Sequence, residues 1–430
     1  MCISRRDFLA MGAGGFASFA LRNRFAFAQE PAKRAKSCIV LWMDGGPSQL
    51  DTWDPKPGRP NGGSFKAIDT SAKGIQVSEH LSRTAKWMHK GAIVRTVTSD
   101  EQDHGRAGYL MHTGYKPAAA VQHPAIGSIT AFESKAQPGI PGYVSVRNAS
   151  AFGFSDPGPG FLGPVAAPFV IDKPEKPDEA IRALGDRLKE RVALLEDLNQ
   201  EFRVVRPGDN SDARKAMVEA AKNVKDSPFA KALDIRGVAP ETLDRYVGAN
   251  KGLYTGQGQY AGPAEQFGLG CLLATRLVGV GVPFVEVNLG GWDTHADNFN
   301  QVRNLLGMVD PGLSSMLEDL DKEGRLDSTL VVWMGEFGRT PQINGGKGRD
   351  HWPGGFSVGL WGGGIGGGRV HGETDADGVK IVKDEVRVPD LMATIATCIG
   401  IDPKKRYIDR DAGAVRVTDQ GIPIKALVEP

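Results

Sequence analysis

The chain has 430 residues, with 52 lysines and arginines against 51 aspartates and glutamates, so a formal charge of +1 gives no long-range pull on nucleic acid or anionic lipid. That length exceeds a usual single core and predicts one large α/β domain with an insertion, or two domains. Cys2, Cys38, Cys271 and Cys398 form no Cys-x-x-Cys pair, which argues against both a thiolate zinc site and a disulfide framework.

The first element is a leader. Ser4-Arg5-Arg6-Asp7-Phe8-Leu9 carries twin arginines, an apolar stretch runs from Ala10 to Leu21, and Ala26-Phe27-Ala28 offers a small-x-small cleavage point before Gln29. Residues 1–28 therefore read as a twin-arginine export signal, which predicts the twin-arginine translocase as a transient partner and a periplasmic or cell-envelope location. Arg22 and Arg24 behind the apolar stretch leave open that the leader stays attached as an anchor. The apolar stretch is too short to cross a bilayer, and nothing later in the chain predicts a transmembrane segment.

The mature domain, 36–430, reads as alternating strands and helices. A strand over Cys38 to Met43 precedes a Gly/Pro-rich loop from Pro55 to Gly63, a helix near Ser78 to Lys90, a strand from Ala92 to Thr98 and a helix near Arg106 to His112. Residues 172–253 turn polar, and Ile181, Leu184, Leu188, Val192 and Leu195 have helical spacing, which predicts a helical insertion packed on the main sheet. Alternation then resumes with a helix over Pro263 to Val280, a strand from Phe284 to Leu289, and a helix from Phe299 to Lys322. Strands at Thr329 to Met334 and Phe356 to Trp361 and a helix at Pro389 to Ile399 complete it. The glycine run from Gly362 to Gly368 is followed by no clear helix and carries no phosphate-loop lysine, so it reads as a turn. His80 and His89 read as surface or packing histidines, and His371 is undecided.

Three polar clusters follow predicted strands: Met43-Asp44-Gly45-Gly46, Gly291-Trp292-Asp293-Thr294-His295 and Gly335-Glu336-Phe337-Gly338-Arg339, with Gly348-Arg349-Asp350-His351 soon after the third. The short strands before them are apolar on both faces, as buried strands of a parallel sheet are, and open α/β sheets place ligands at the carboxyl ends of such strands. Carboxylates and imidazoles gathered there suit a divalent cation: zinc, manganese, magnesium or calcium. Each cluster taken alone is also an ordinary turn or helix cap. His104 falls at the start of a predicted helix, where positive potential favours a nucleophile or an anionic substrate group; its simpler reading is a helix-start histidine bonded to the loop.

The motifs Asp44-Gly45-Gly46-Pro47-Ser48, Gly291-Trp292-Asp293-Thr294-His295, Gly335-Glu336-Phe337-Gly338-Arg339-Thr340-Pro341 and Gly348-Arg349-Asp350-His351-Trp352 resemble domain-of-unknown-function family 1501. That family in turn resembles sulfatases and the alkaline phosphatase superfamily. The resemblance implies an α/β sandwich, a large mostly parallel sheet between helices, with metal held at strand ends. It implies Asp44, Asp293, His295, Glu336 and His351 as metal ligands. Phe337 stands where the superfamily places His or Asn, which weakens a second metal site. His104 falls where sulfatases carry their cysteine or serine nucleophile, and no Cys-x-Pro-x-Arg motif is present for formylglycine chemistry.

The expected function is a metal-dependent hydrolase of a sulfate or phosphate ester, whose anionic substrate includes sulfated or phosphorylated glycans. His104 would attack or act as general base, and Arg106 or Arg339 would clamp the anionic oxygens. Ser48 is a second candidate nucleophile or a helix N-cap. The competing expectation is a noncatalytic envelope protein that keeps the fold and binds a glycan or a protein.

Overall fold

The computed structural model describes residues 34–134, 137–147, 157–182, 224–250, 254–255, 262–409 and 412–428. The leader and the 183–223 part of the predicted insertion lie outside the described residues.

Among these residues a nine-stranded mixed sheet forms the centre. In chain order its strands are β1 (Ser37–Met43), β2 (Gly91–Thr98), β3 (Tyr143–Val146), β4 (Phe169–Ile171), β5 (Phe284–Leu289), β6 (Thr329–Met334), β7 (Phe356–Gly362), β8 (Arg369–His371) and β9 (Val386–Arg387). Their spatial order is β8-β2-β7-β6-β1-β5-β3-β4, with β9 also beside β2. β1 runs parallel to both β5 and β6, β3 continues the parallel set, and β7 alone is antiparallel to its neighbours β6 and β2. The sheet is thus mostly parallel, with β1 at its middle.

Each strand of that middle is buried along its whole length, because both faces are covered. Ile39, Leu41 and Met43 face a core shared with α3 (Glu265–Gly279) and α4 (Asn298–Lys322). Cys38, Val40 and Trp42 face the opposite core with α1 (His104–Thr113), α2 (Ile126–Glu133) and α5 (Val388–Cys398). Period-2 alternation therefore sorts β1 into two cores. Cys38, Cys271 and Cys398 are free and buried, as their apolar settings predict.

The short strands β3, β4, β8 and β9, and helix α2, are absent from the reading of the sequence. The helix expected near Ser78 to Lys90 is instead two 3-10 segments, Glu79–Leu81 and Thr84–Lys90. Within 172–253 the described helices are Glu179–Arg182, Pro228–Ala232 and Pro240–Val247. The last docks on α4, where Arg245 reaches Asp319 at 2.6 Å and the Tyr246 hydroxyl donates to the same carboxylate at 2.8 Å. No helix among the described residues is long and apolar enough to cross a membrane.

Candidate metal centre

The carboxyl ends of β1, β5 and β6 lie side by side, so the loops leaving them meet. Asp44 follows β1 directly, Glu336 comes two residues after β6, and Asp293 comes four after β5. The chain can turn this sharply after β1 because Gly45 and Gly46 adopt φ of 116° and 78°. A Cβ on Gly45 would sit 2.5 Å from the Asp293 amide nitrogen, so the β1 and β5 loops touch through backbone alone. The Gly45 N–H donates to Glu336 Oε1 at 2.8 Å, which ties in β6.

Helix α1 points its amino end at this junction. Asp103 caps it, accepting from the Arg106 N–H at 3.0 Å, and His104 is its first residue. Three imidazoles then share one pattern. His104 Nδ1 lies 2.6 Å from Glu336 Oε1, His295 Nδ1 lies 2.7 Å from Asp350 Oδ1, and His351 Nδ1 lies 2.8 Å from the Gln102 carbonyl. Each Nδ1 faces an acceptor and therefore carries hydrogen, which turns Nε2 toward the centre. The three Nε2 atoms stand 3.4, 3.0 and 3.2 Å from Asp293 Oδ1, in the order His104, His295, His351, and the last two are 3.1 Å apart. Ligands at 2.0–2.1 Å from a tetrahedral zinc are separated by about 3.3 Å, so these spacings fit the edges of one coordination shell.

The donor atoms of His104, Asp293 and His351 lie within 4.8 Å of one another. Glu336 is 1 % exposed, and its Oε2 has no hydrogen-bond partner among the described residues. A buried carboxylate oxygen left unpaired is costly unless a cation or proton faces it, which is a second sign that the residues present fit a metal.

Charge follows the geometry. Burial alone lowers the pKa of His104, but hydrogen bonds to Asp293 and Glu336 outweigh it and raise it to about 9. Burial pushes Asp293 the other way, upward, yet His104, His351 and the Arg339 cation together hold its carboxyl well below the usual range. His295 holds Asp350 low by its hydrogen bond.

Several predicted residues take unexpected places. His104, expected to stand apart as the attacking group, lies among the ligand atoms. Asp44 is buried directly after β1, with Oδ1 3.4 Å from Trp42 Nε1, and is not among the three residues whose donor atoms lie within 4.8 Å of one another. Glu336 spends Oε1 on Gly45 and His104 and so acts first as their acceptor. Arg106 is forked on Glu101 at 2.6 and 2.8 Å, with its side chain half exposed, and is not joined to the cluster. Arg339 is fully buried and reaches Asp293 Oδ1 at 2.6 Å, the Gly46 carbonyl at 2.9 Å and the Gly45 carbonyl. It is a strut for the β1 and β5 loops. Ser48 starts no helix; it lies buried in a turn, its hydroxyl without a partner among the described residues. Phe337 packs its ring on His104 and His351, with centroids 5.0 and 4.6 Å away.

Two participants escape a reading by motif. The Gln102 carbonyl is a backbone atom and leaves no side-chain signal. Asp51 is buried under the site and grips Arg349 at 2.7 and 3.1 Å, while Asn298 donates to Asp51 at 2.8 Å and accepts from Thr294 at 2.6 Å. That network fixes the loops carrying Asp293, His295 and His351.

A family model described as "Protein of unknown function (DUF1501)" matches residues 35–428. The chain belongs to the DUF1501 family. No curated protein matches it. Among solved structures, the PsFucS1 sulfatase from Pseudoalteromonas sp. is similar at 13% identity and a TM-score of 0.40, covering 87% of this chain and 69% of that one. The lipoteichoic acid synthase LtaP from Listeria monocytogenes is similar at 8% identity and a TM-score of 0.39, covering 91% and 76%. The alkaline phosphatase from the Antarctic bacterium TAB5 is similar at 12% identity and a TM-score of 0.35, covering 85% and 99%. Likeness this distant assigns no residue roles to the DUF1501 chain.

Proposed function

We propose that this DUF1501 protein is an exported, metal-dependent hydrolase of sulfate or phosphate esters, with sulfated or phosphorylated glycans among its substrates. One observation carries the reading: three imidazoles, each anchored through Nδ1, aim Nε2 at the same carboxylate oxygen at the carboxyl ends of parallel strands. Asp293, His295 and His351 would hold a divalent ion, with His104 beside them. When bound, that ion supplies Lewis acidity toward a nonbridging ester oxygen.

The chain's own residues do the rest. Glu336 holds the Nδ1 hydrogen of His104, so Nε2, once free of its proton, is the nitrogen that can attack the phosphorus or sulfur while the ester's alkoxide leaves, or accept a proton from water as that water attacks. As Nε2 gains positive charge, the Glu336 carboxylate stabilises the imidazolium. Phe337 keeps one side of both rings dry.

One observation favours the second reading, a noncatalytic envelope protein that binds a glycan or a protein. Both arginines expected to clamp an anion are occupied, Arg106 by Glu101 and Arg339 by Asp293 and carbonyl oxygens. The test is turnover of aryl sulfate and aryl phosphate by chain loaded with zinc, manganese, magnesium or calcium, with the His104→Ala variant beside it. Hydrolysis that disappears in the variant while its metal content is kept supports the enzyme with His104 as attacking group or base. Hydrolysis lost together with metal makes His104 a ligand. Metal-loaded wild type that turns over neither ester supports the binding protein.

A further inference from the structure

Nine residues into the helix that begins at His104, a second histidine is sealed in the sheet. His112, in the last turn of α1, and Glu286, in the middle of β5, are each 1 % exposed. His112 Nδ1 faces the Gly108 carbonyl at 2.8 Å and is therefore a donor, and Nε2 lies 3.2 Å from Glu286 Oε2, so one proton is held between them. Glu286 also accepts from the Tyr143 hydroxyl at 3.3 Å and from Asn288 Nδ2 at 3.3 Å. Trp42 packs on the His112 ring with centroids 4.0 Å apart, and its indole N–H points toward Asp44.

A buried ionisable pair is a poor way to gain stability, since apolar residues of the same volume hold a core as well or better. What it supplies is direction. The apolar side of α1, with Leu110 and Met111, packs into the core on the sheet, a contact without direction. A hydrogen-bonded contact to one carboxylate adds a directional restraint along the helix axis. His104 and His112 are eight residues apart, about 12 Å along the helix axis, so clamping one end sets the height of the other.

We infer that His112 and Glu286 are positioning residues: they lock the axial register of α1 on β5 and thereby set the placement of His104 Nε2 beside Asp293. This rests on the metal-site reading above, with His104 Nε2 counted among the donor atoms that reach the ion. A slip of α1 by even a fraction of a residue changes the 3.4 Å separation between His104 and Asp293, to which coordination is sensitive.

The experiment is a double-mutant cycle on zinc affinity in the full chain, using Glu286→Gln, His104→Ala and the pair, with Tyr143→Phe as a milder change to the same network. Circular dichroism and a cooperative melt establish that each variant is folded. Glu286→Gln is expected to weaken zinc by about 10-fold or more. In the His104→Ala background the same change should alter affinity by less than about twofold, because the coupling runs through His104. Tyr143→Phe should weaken zinc in the same direction by less, and it carries the test alone if Glu286→Gln does not fold. An equal loss in both backgrounds, or a lower melting temperature with unchanged zinc affinity, overturns the inference. Wild type that binds no zinc overturns the metal reading and this one with it.

Discussion

His104 shows how one side chain is governed by its partners. Its pKa is raised to about 9 because Asp293 and Glu336 outweigh the effect of burial. A group that binds its proton more tightly folded than unfolded stabilises the fold below its unfolded value, near 6.5, and that contribution is lost as pH rises through the folded value. Metal-free protein should therefore lose thermal stability between about pH 6.5 and 9, and His104→Ala should flatten that part of the profile. A chelated wild type with the same slope as the variant across this window would contradict the assignment. Metal loading should release protons over the same range. At this scale the sequence was most legible where chemistry needs a side chain: Asp293 and His295 stand out by type and by place soon after a strand, and His351 by type beside Asp350. It was least legible for Arg106. Whether a guanidinium faces a substrate or Glu101 depends on rotamers that no motif encodes.

Among the elements, the strands of the middle of the sheet were the most readable: β6 ends where its apolar run ends, and β5 keeps its expected bounds although Glu286 and Asn288 interrupt its apolar residues. The three- and four-residue strands β3, β4 and β8 have too few residues to show a period and are strands only because a neighbour supplies hydrogen bonds. Supporting loops are hidden for a similar reason. Arg349 and Asp51, both fully buried and almost 300 residues apart in sequence, make a two-bond pair that anchors the segment before His351. Removing one partner leaves the other charge buried, so Asp51→Asn should cost about 3–5 kcal/mol in denaturant unfolding. It should also weaken metal binding. A loss below about 1 kcal/mol would mean that the pair is solvated and supports little. Gly45 offers a second check on the same junction: Gly45→Ala forces a Cβ into the Asp293 backbone at a φ of 116°, and should lower both stability and metal affinity.

For the whole molecule, the structure places a mostly parallel sheet between two helical layers, as the family resemblance implied, with the cluster at the carboxyl ends of its middle strands. We propose that residues 1–28 direct export, so changing Arg5 and Arg6 to lysine should retain the protein in the cytoplasm. Fractionation that finds the double variant exported like wild type would remove the envelope from the account. The central claim is that Asp293, His295 and His351, with His104 beside them, form one cation site. The most direct measurement is equilibrium dialysis of the purified chain against zinc, followed by elemental analysis, for wild type and for Asp293→Ala. The account predicts about one ion per wild-type chain and binding weakened by at least about 10-fold in the variant. Wild type with no zinc above background, or Asp293→Ala that binds as wild type does, would contradict it.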